Sequence, residues 1–495
     1  MLRRFSHVSL CFALVYSAGV MGTSLEQQRA LYTQAKTAMA KGDKSVYLQN
    51  KAALASYPLT PHLAYDELTS RLASASNEEI EQFLQQNGDL PQINWMKLRW
   101  LRGLAREGDW ERFNRYYTPS MNFTELDCLY AQHLQQVDPA RGLEHGRNLW
   151  LSGKSRPNAC DAVFETMSAQ GQLPEQMYWE RFRLAVEAND LRLANYLMGN
   201  LSTYLPAAQA LIGVAKKPAL IKEPSRFDTS KPGMDSAISV GLRRYSREDT
   251  EQALSLLRNY EKRTNFSDTE HVAIAKQIGL TFAKRFDPRA LAIMEQFDPN
   301  LHDDNVSEWR ARLLLRLGRW QEAATLIERF PPSLAQTNRW RYWQARSLQL
   351  ATNNNPRAKE LFKELANERD FYGFMAADQI KAPYRLNHKP LVLSEQVQRS
   401  VREAPGIRRA LEFHHRGENV EGRREWYNAT QHFTQEQQVA QAKLGYDMQW
   451  YFPAIRTLAQ ARYWDDLDIR FPMPFKNMMV RHSRAREINP SWAYA

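Results

Sequence analysis

Apolar residues recur along this chain at three- and four-residue intervals, and nowhere does a period-two alternation of β-branched residues persist. That pattern predicts helices throughout and no sheet. Trp309, Leu313 and Leu317 fall at i, i+4, i+8, Gly318-Arg319 reads as a turn, and Trp320, Ala323, Ala324 and Ile327 resume at i, i+3, i+4, i+7. Pro331-Pro332 then stops the second helix, because proline cannot donate an amide hydrogen bond. This is an αα-hairpin. It returns as a helix from Trp340 to Leu350, a turn at Asn353-Asn354-Asn355, Pro356 in a first helical turn, and the stripe Ala358, Leu361, Phe362, Leu365. Looser copies place Lys41-Gly42-Asp43 between two helices, Gly108-Asp109 before Trp110, Phe113 and Tyr117, and Asn189-Asp190 before Ala194, Leu197, Met198 and Leu201. Such hairpins cannot bury their apolar stripes alone, so an all-α, α-superhelical solenoid of stacked helical hairpins is expected.

Breaks in the pattern suggest boundaries. Lys222 to Met234 is polar and turn-rich, a long connection within the array. Lys381 to Leu393, with Pro383 and Pro390, reads as a linker. Short helices follow to about Arg470, and Phe471-Pro472-Met473-Pro474-Phe475 precedes a last helical region. A chain of 495 residues exceeds one compact core, and 13 Trp, 21 Tyr and 21 Phe exclude a disordered chain. The net charge of +11 would attract polyanions, but Lys and Arg are scattered and not interleaved with aromatics, so no nucleic-acid partner is expected.

Arg3 and Arg4 precede a mostly apolar stretch, Val8 to Val20, with small residues near its end at Ser17-Ala18-Gly19 and after it at Gly22-Thr23-Ser24. This reads as a cleaved export signal over residues 1–22, too short to span a bilayer, and no later stretch suits membrane insertion. Cys11 leaves with the signal. Cys128 and Cys160 remain, in an oxidising compartment, either as a bridged pair or as two buried thiols. Neither belongs to a Cys-x-x-Cys pair, so no metal site is expected. His414-His415 project about 100° apart on a helix and do not share a metal. Phosphate loops, dinucleotide fingerprints, His-Glu-x-x-His and Gly-x-Ser-x-Gly are all missing. No catalytic residue, cofactor or metal is assigned.

Four segments carry a resemblance. Leu149-Trp150-Leu151-Ser152-Gly153-Lys154-Ser155-Arg156-Pro157-Asn158-Ala159-Cys160-Asp161 resembles the cysteine-bearing helix junction of soluble lytic murein transglycosylases, with Cys128 where the partner cysteine would stand. Trp340-Arg341-Tyr342-Trp343-Gln344-Ala345 resembles a late helix of the same superhelical domain. Trp464-Asp465-Asp466-Leu467 with Arg470-Phe471-Pro472 resembles the end of the family's linker domain. Ile488-Asn489-Pro490-Ser491-Trp492-Ala493-Tyr494-Ala495 resembles the start of the catalytic domain's first helix.

The resemblance implies an export signal at 1–22, a superhelical domain at 23–385, a helical linker domain at 390–470, and the start of a truncated lysozyme-like catalytic domain at 471–495. It implies a periplasmic enzyme that cleaves the β-1,4 bond between N-acetylmuramic acid and N-acetylglucosamine of peptidoglycan glycan strands, leaving a 1,6-anhydro end. It also implies a Cys128–Cys160 disulfide. In the family one glutamate serves as acid and then base, in a Glu-Ser pair that continues the last helix. Ala495 comes before it, so the chain is expected to be inactive as given. Glu487 precedes the helix and does not match that position. The other reading is a non-catalytic periplasmic scaffold binding peptidoglycan or envelope proteins, with cell-wall synthesis proteins as further candidate partners.

Overall fold

The structure, a computed structural model, describes residues 23–494, and the expected signal segment 1–22, Cys11 and Ala495 lie outside them. Among the described residues every regular element is helical, in thirty α-helices and five short 3-10 turns. None is long and apolar enough to cross a membrane.

Short polar side chains start the helices. Asp190, Asp303, Thr337 and Asn355 each accept a hydrogen bond from the backbone amide three residues on. The hairpin read at residues 304–328 is present as helices Asp304–Arg316 and Trp320–Glu328. Gly318 joins them at φ +70°, and the Arg319 amide returns to the Leu314 carbonyl at 3.0 Å. Leu317, expected on the buried stripe, takes the C-cap and is 39% exposed. The inward face runs instead through Val306, Arg310, Leu313 and Leu314. The second hairpin keeps its expected stripe: Ala358, Leu361, Phe362 and Leu365 are buried in helix Pro356–Leu365. The polar connection 222–234 is more ordered than its composition suggests. It is flanked and entered by 3-10 turns Pro218–Lys222 and Pro224–Arg226, buries Phe227, and is held where the Tyr260 hydroxyl donates to the Ile221 carbonyl at 2.9 Å.

The chain forms two compact units. Tyr117–Asn387 is one, and its largest core extends from Cys128 to Leu313 before passing to clusters around Trp340 and Phe362. This succession of small linked cores is what stacked hairpins produce. The other unit joins the chain up to Tyr116 with the chain from His388 onward. Its N-terminal core of Tyr32, Tyr47, Leu54, Tyr57 and Leu63 takes in Phe413 from helix Pro405–His415. Trp426, wholly buried, centres a second core with Val401, Ile407 and Ala410. The edge at Asn387–His388 falls within the proline-containing stretch Lys381 to Leu393. The edge at Tyr116–Tyr117 falls where the sequence pattern runs on without a break.

Candidate functional site

Helix Thr124–Val137 carries Cys128 on its buried face. Asp138 caps the next helix, Pro139–Trp150, and Pro139 takes its first position. Gly142 lets the two helices touch, since a Cβ there would stand 2.6 Å from the Gln135 backbone nitrogen. The chain then turns through Gly153, where a Cβ would run into the Leu184 carbonyl, and returns in the turn Asn158–Cys160 and helix Asp161–Ala169. Gln132 and Gln135 donate to the carbonyls of Ala159 and Val163 at 2.5 and 3.1 Å. Cys128 and Cys160 thereby meet 4.9 Å apart at Cα, joined as a disulfide and closed to solvent. The residues alone left a bridge and two buried thiols open, the family resemblance implied the bridge, and the structure contains it.

Glycosidic cleavage by a single carboxyl needs that group protonated near neutral pH. Asp235, at the start of helix Met234–Tyr245, and Glu270, in the first turn of helix Asp268–Lys284, form a hydrogen-bonded pair. Burial pushes the Asp235 carboxyl up, and its bond to Glu270 pushes it further. Burial works to raise Glu270 too, but hydrogen bonds from Ser236 (2.6 Å), Asp235 and Ser267 (3.1 Å) hold it below its ordinary value. The Ser236 hydroxyl, next to Asp235, thereby ties helix Met234–Tyr245 to helix Asp268–Lys284.

Two more buried carboxylates lie in the other unit, and both are neutralised by arginine. Glu412 accepts from Arg29 Nε and Nη2 at 2.7 and 2.9 Å and from the Tyr57 hydroxyl at 2.9 Å. Burial raises its pKa, but those bonds outweigh burial and hold it below the usual carboxylate value. Glu425, 1% exposed, bonds His62 Nε2 at 2.6 Å and lies 2.9 Å from Arg409 Nε, while Arg409 Nη2 donates to Asp89 at 2.7 Å. His414 stacks on Trp450 at 4.4 Å and pairs with Asn419, so its ring serves packing. Glu487 is exposed, at φ +56°. Sequence periodicity missed Asp235, Glu270, Glu412, Glu425 and the buried Arg181. The signal was there, as charged residues at inward helical registers.

Residues 400–467 match the model of the soluble lytic murein transglycosylase L domain. The X-ray structure of an inactive mutant of lytic transglycosylase Slt from Pseudomonas aeruginosa is 52% identical, covers 94% of this chain and 76% of its own, and superposes with a TM-score of 0.90. The chain belongs to the soluble lytic murein transglycosylase family. Two further members match at lower identity. The soluble lytic murein transglycosylase of Salmonella typhimurium is 27% identical, over 99% of this chain and 76% of that protein. The 70-kDa soluble lytic transglycosylase solved in complex with bulgecin A is 25% identical, covers 95% of this chain and 76% of its own, and has a TM-score of 0.78.

The segments that resemble the family have distinct structural roles. Trp340 and Tyr342 are buried in helix Asn338–Ala351, and Trp340 Nε1 donates to Glu308 at 3.0 Å. Asp466 caps helix Leu467–Arg470 through the Ile469 amide (3.1 Å) and also accepts from the Leu391 amide (3.0 Å). The Arg470 guanidinium lies 4.9 Å from the rings of both Trp464 and Phe471. Helix Pro490–Tyr494 starts as its sequence suggests, with Asn489 accepting from the Ser491 amide at 2.9 Å. The Tyr494 hydroxyl donates to the Pro474 carbonyl at 2.9 Å, and Trp492 is 80% exposed.

Proposed function

We propose that this chain is the body of an exported, periplasmic enzyme that holds peptidoglycan glycan strands and cleaves them between N-acetylmuramic acid and N-acetylglucosamine, leaving 1,6-anhydro ends. The observation that carries this reading is the 52% identity and 0.90 TM-score to a lytic transglycosylase over 94% of the chain. Residues 23–385 form the superhelical domain, 390–470 the linker domain, and 471–495 the first part of the catalytic domain. Residues 1–22 direct export.

The acid that performs the cleavage is not supplied by residues 23–494. Glu412 and Glu425 are bound to arginines, Asp235 is engaged with Glu270, and Glu487 is open to water. The family's glutamate belongs in the continuation of helix Pro490–Tyr494. Exposed Phe471, Met473, Phe475 and Trp492 support this placement, because apolar side chains gathered in one segment suit a surface that packs on further structure.

Purified chain incubated with peptidoglycan sacculi is expected to sediment with them and to release no anhydromuropeptides. Release at the rate of a full-length relative would refute the assignment of the acid. Failure to sediment would refute the substrate and leave the scaffold reading, in which the array binds an envelope protein instead.

A further inference from the structure

We infer that the cavity walled by Trp150, Phe164 and Arg181 is a binding site for a small carboxylate ligand with a flat or apolar face. It lies in the unit Tyr117–Asn387 and encloses about 690 Å³, within the roughly 300–1,000 Å³ of small-molecule sites. Arg181 reaches it from helix Glu175–Glu187 and is 4% exposed. Its guanidinium lies 4.4 Å from the Trp150 ring and 5.0 Å from the Phe164 ring. Among the described residues no carboxylate pairs with it, and its Nε is buried with no hydrogen-bond partner.

A buried cation without an anion is costly, and two aromatic faces compensate only in part. They also leave the planar fork of N–H donors unused, and that fork matches a carboxylate. Burial, then the charge of Arg156, lowers the Arg181 pKa to about 10, so the group stays protonated at neutral pH. Arg156 does not compete for the anion's place. It is itself cationic, and its Nε donates to the Leu149 carbonyl at 3.0 Å. Arg156, Arg181 and Arg192 line the cavity against exposed Asp161 and Glu165, a surplus of one positive charge that suits a monocarboxylate. Tyr178, edge-on to Trp150 at 5.0 Å, extends the aromatic wall for a sugar ring or a methyl group.

Two sources present this chemistry, the lactyl carboxylate of muramic acid and the C-terminal carboxylate of a short peptide. Peptidoglycan offers the second at the ends of its stem peptides and the first where a stem has been removed, and naming it as the source rests on the function proposed above. The preference for an anion does not.

The test titrates the full chain, by tryptophan fluorescence and calorimetry, with N-acetylmuramic acid, D-alanyl-D-alanine, the methyl ester of that dipeptide, and uncharged N-acetylglucosamine. At least one acid is expected to saturate the site, and which one does so identifies the source. The ester or the uncharged sugar should bind its matching site about tenfold or more weakly, and Arg181→Met should weaken the acid equally, as loss of a charged hydrogen bond implies. The inference is overturned if neither acid saturates, if the uncharged probes bind as well as the acids, or if Arg181→Met binds like wild type. Should that variant not fold, the acid-against-uncharged comparison on the wild-type chain decides alone. Sacculi that sediment with a chain that ignores both acids would sink this site while leaving the proposed function standing.

Discussion

Replacing Glu412 with glutamine isolates what one buried carboxylate contributes. The side chain of Glu412 is 7% exposed and that of Arg29 17%. Glutamine removes the charge and turns an N–H₂ group toward Arg29 and Tyr57 donors that meet an acceptor oxygen in the wild type. Breaking a buried pair costs about 3–5 kcal/mol. Arg29 keeps its contact with exposed Glu26 and sits near the surface, so we place the loss at about 2–3 kcal/mol. At about 2–4 °C per kcal/mol for a unit of this size, the transition should fall by about 4–12 °C near pH 7. Scanning calorimetry with a fluorescence readout measures this, because Trp426 is buried in the same unit. The pH dependence supplies a second check. The folded pKa of Glu412 is depressed, so its stabilisation is complete above the unfolded value of about 4.3 and is lost as pH falls through the folded one. Wild type and variant should therefore converge in acid. A shift under about 2 °C near pH 7, or a gap that persists in acid, would refute the reasoning. Removing all three groups together in Arg29→Met, Tyr57→Phe, Glu412→Leu should restore most of the loss, since no charge is left stranded.

Reducing the Cys128–Cys160 bridge, or replacing both residues with alanine, opens a loop of sequence separation 32 and should cost about 3–4 kcal/mol in urea unfolding. Gly153→Ala should destabilise by about 1–3 kcal/mol because its Cβ meets the Leu184 backbone. Gly103→Ala, in a helix with open space around the new Cβ, should instead stabilise by about 0.5–1 kcal/mol by the same measurement. Asp235→Asn removes a carboxyl whose folded pKa is raised. The wild type loses stability as pH rises from the ordinary aspartate value of about 3.9 through the folded one, so the variant's stability relative to wild type should increase over that rise, read by urea unfolding.

Helix placement was legible because caps and glycines mark ends that physics enforces. Asn355 and Pro356 start a helix whose four expected apolar residues are all buried. The stripe through Leu317 failed because Gly318 ends the helix one residue later and turns that side chain outward. Periodicity read from apolar residues alone also passes over charges on the same face. Tyr178, Arg181, Phe182 and Ala185 hold the i, i+3, i+4, i+7 spacing, as do Gly406, Arg409, Ala410 and Phe413, and each set carries a buried arginine. No local pattern could have joined Arg29 to Glu412, because the pairing depends on where the whole intervening chain brings its ends. The cysteine pair was legible as a pair from its number and as a bridge from the family resemblance, while the close packing around Gly142 and Gly153 that brings the two together was not.

The bond between Arg29 and Glu412 spans 383 positions. The first helices are therefore made long before the residues that complete their core, and at roughly 5–20 residues per second they wait about 20–80 s. During that interval Tyr32, Tyr57 and Leu63 lack Phe413. Contacts of such high order form late, so these first helices are among the last parts of the unit to become native, and they are the ones most in need of a chaperone while they wait.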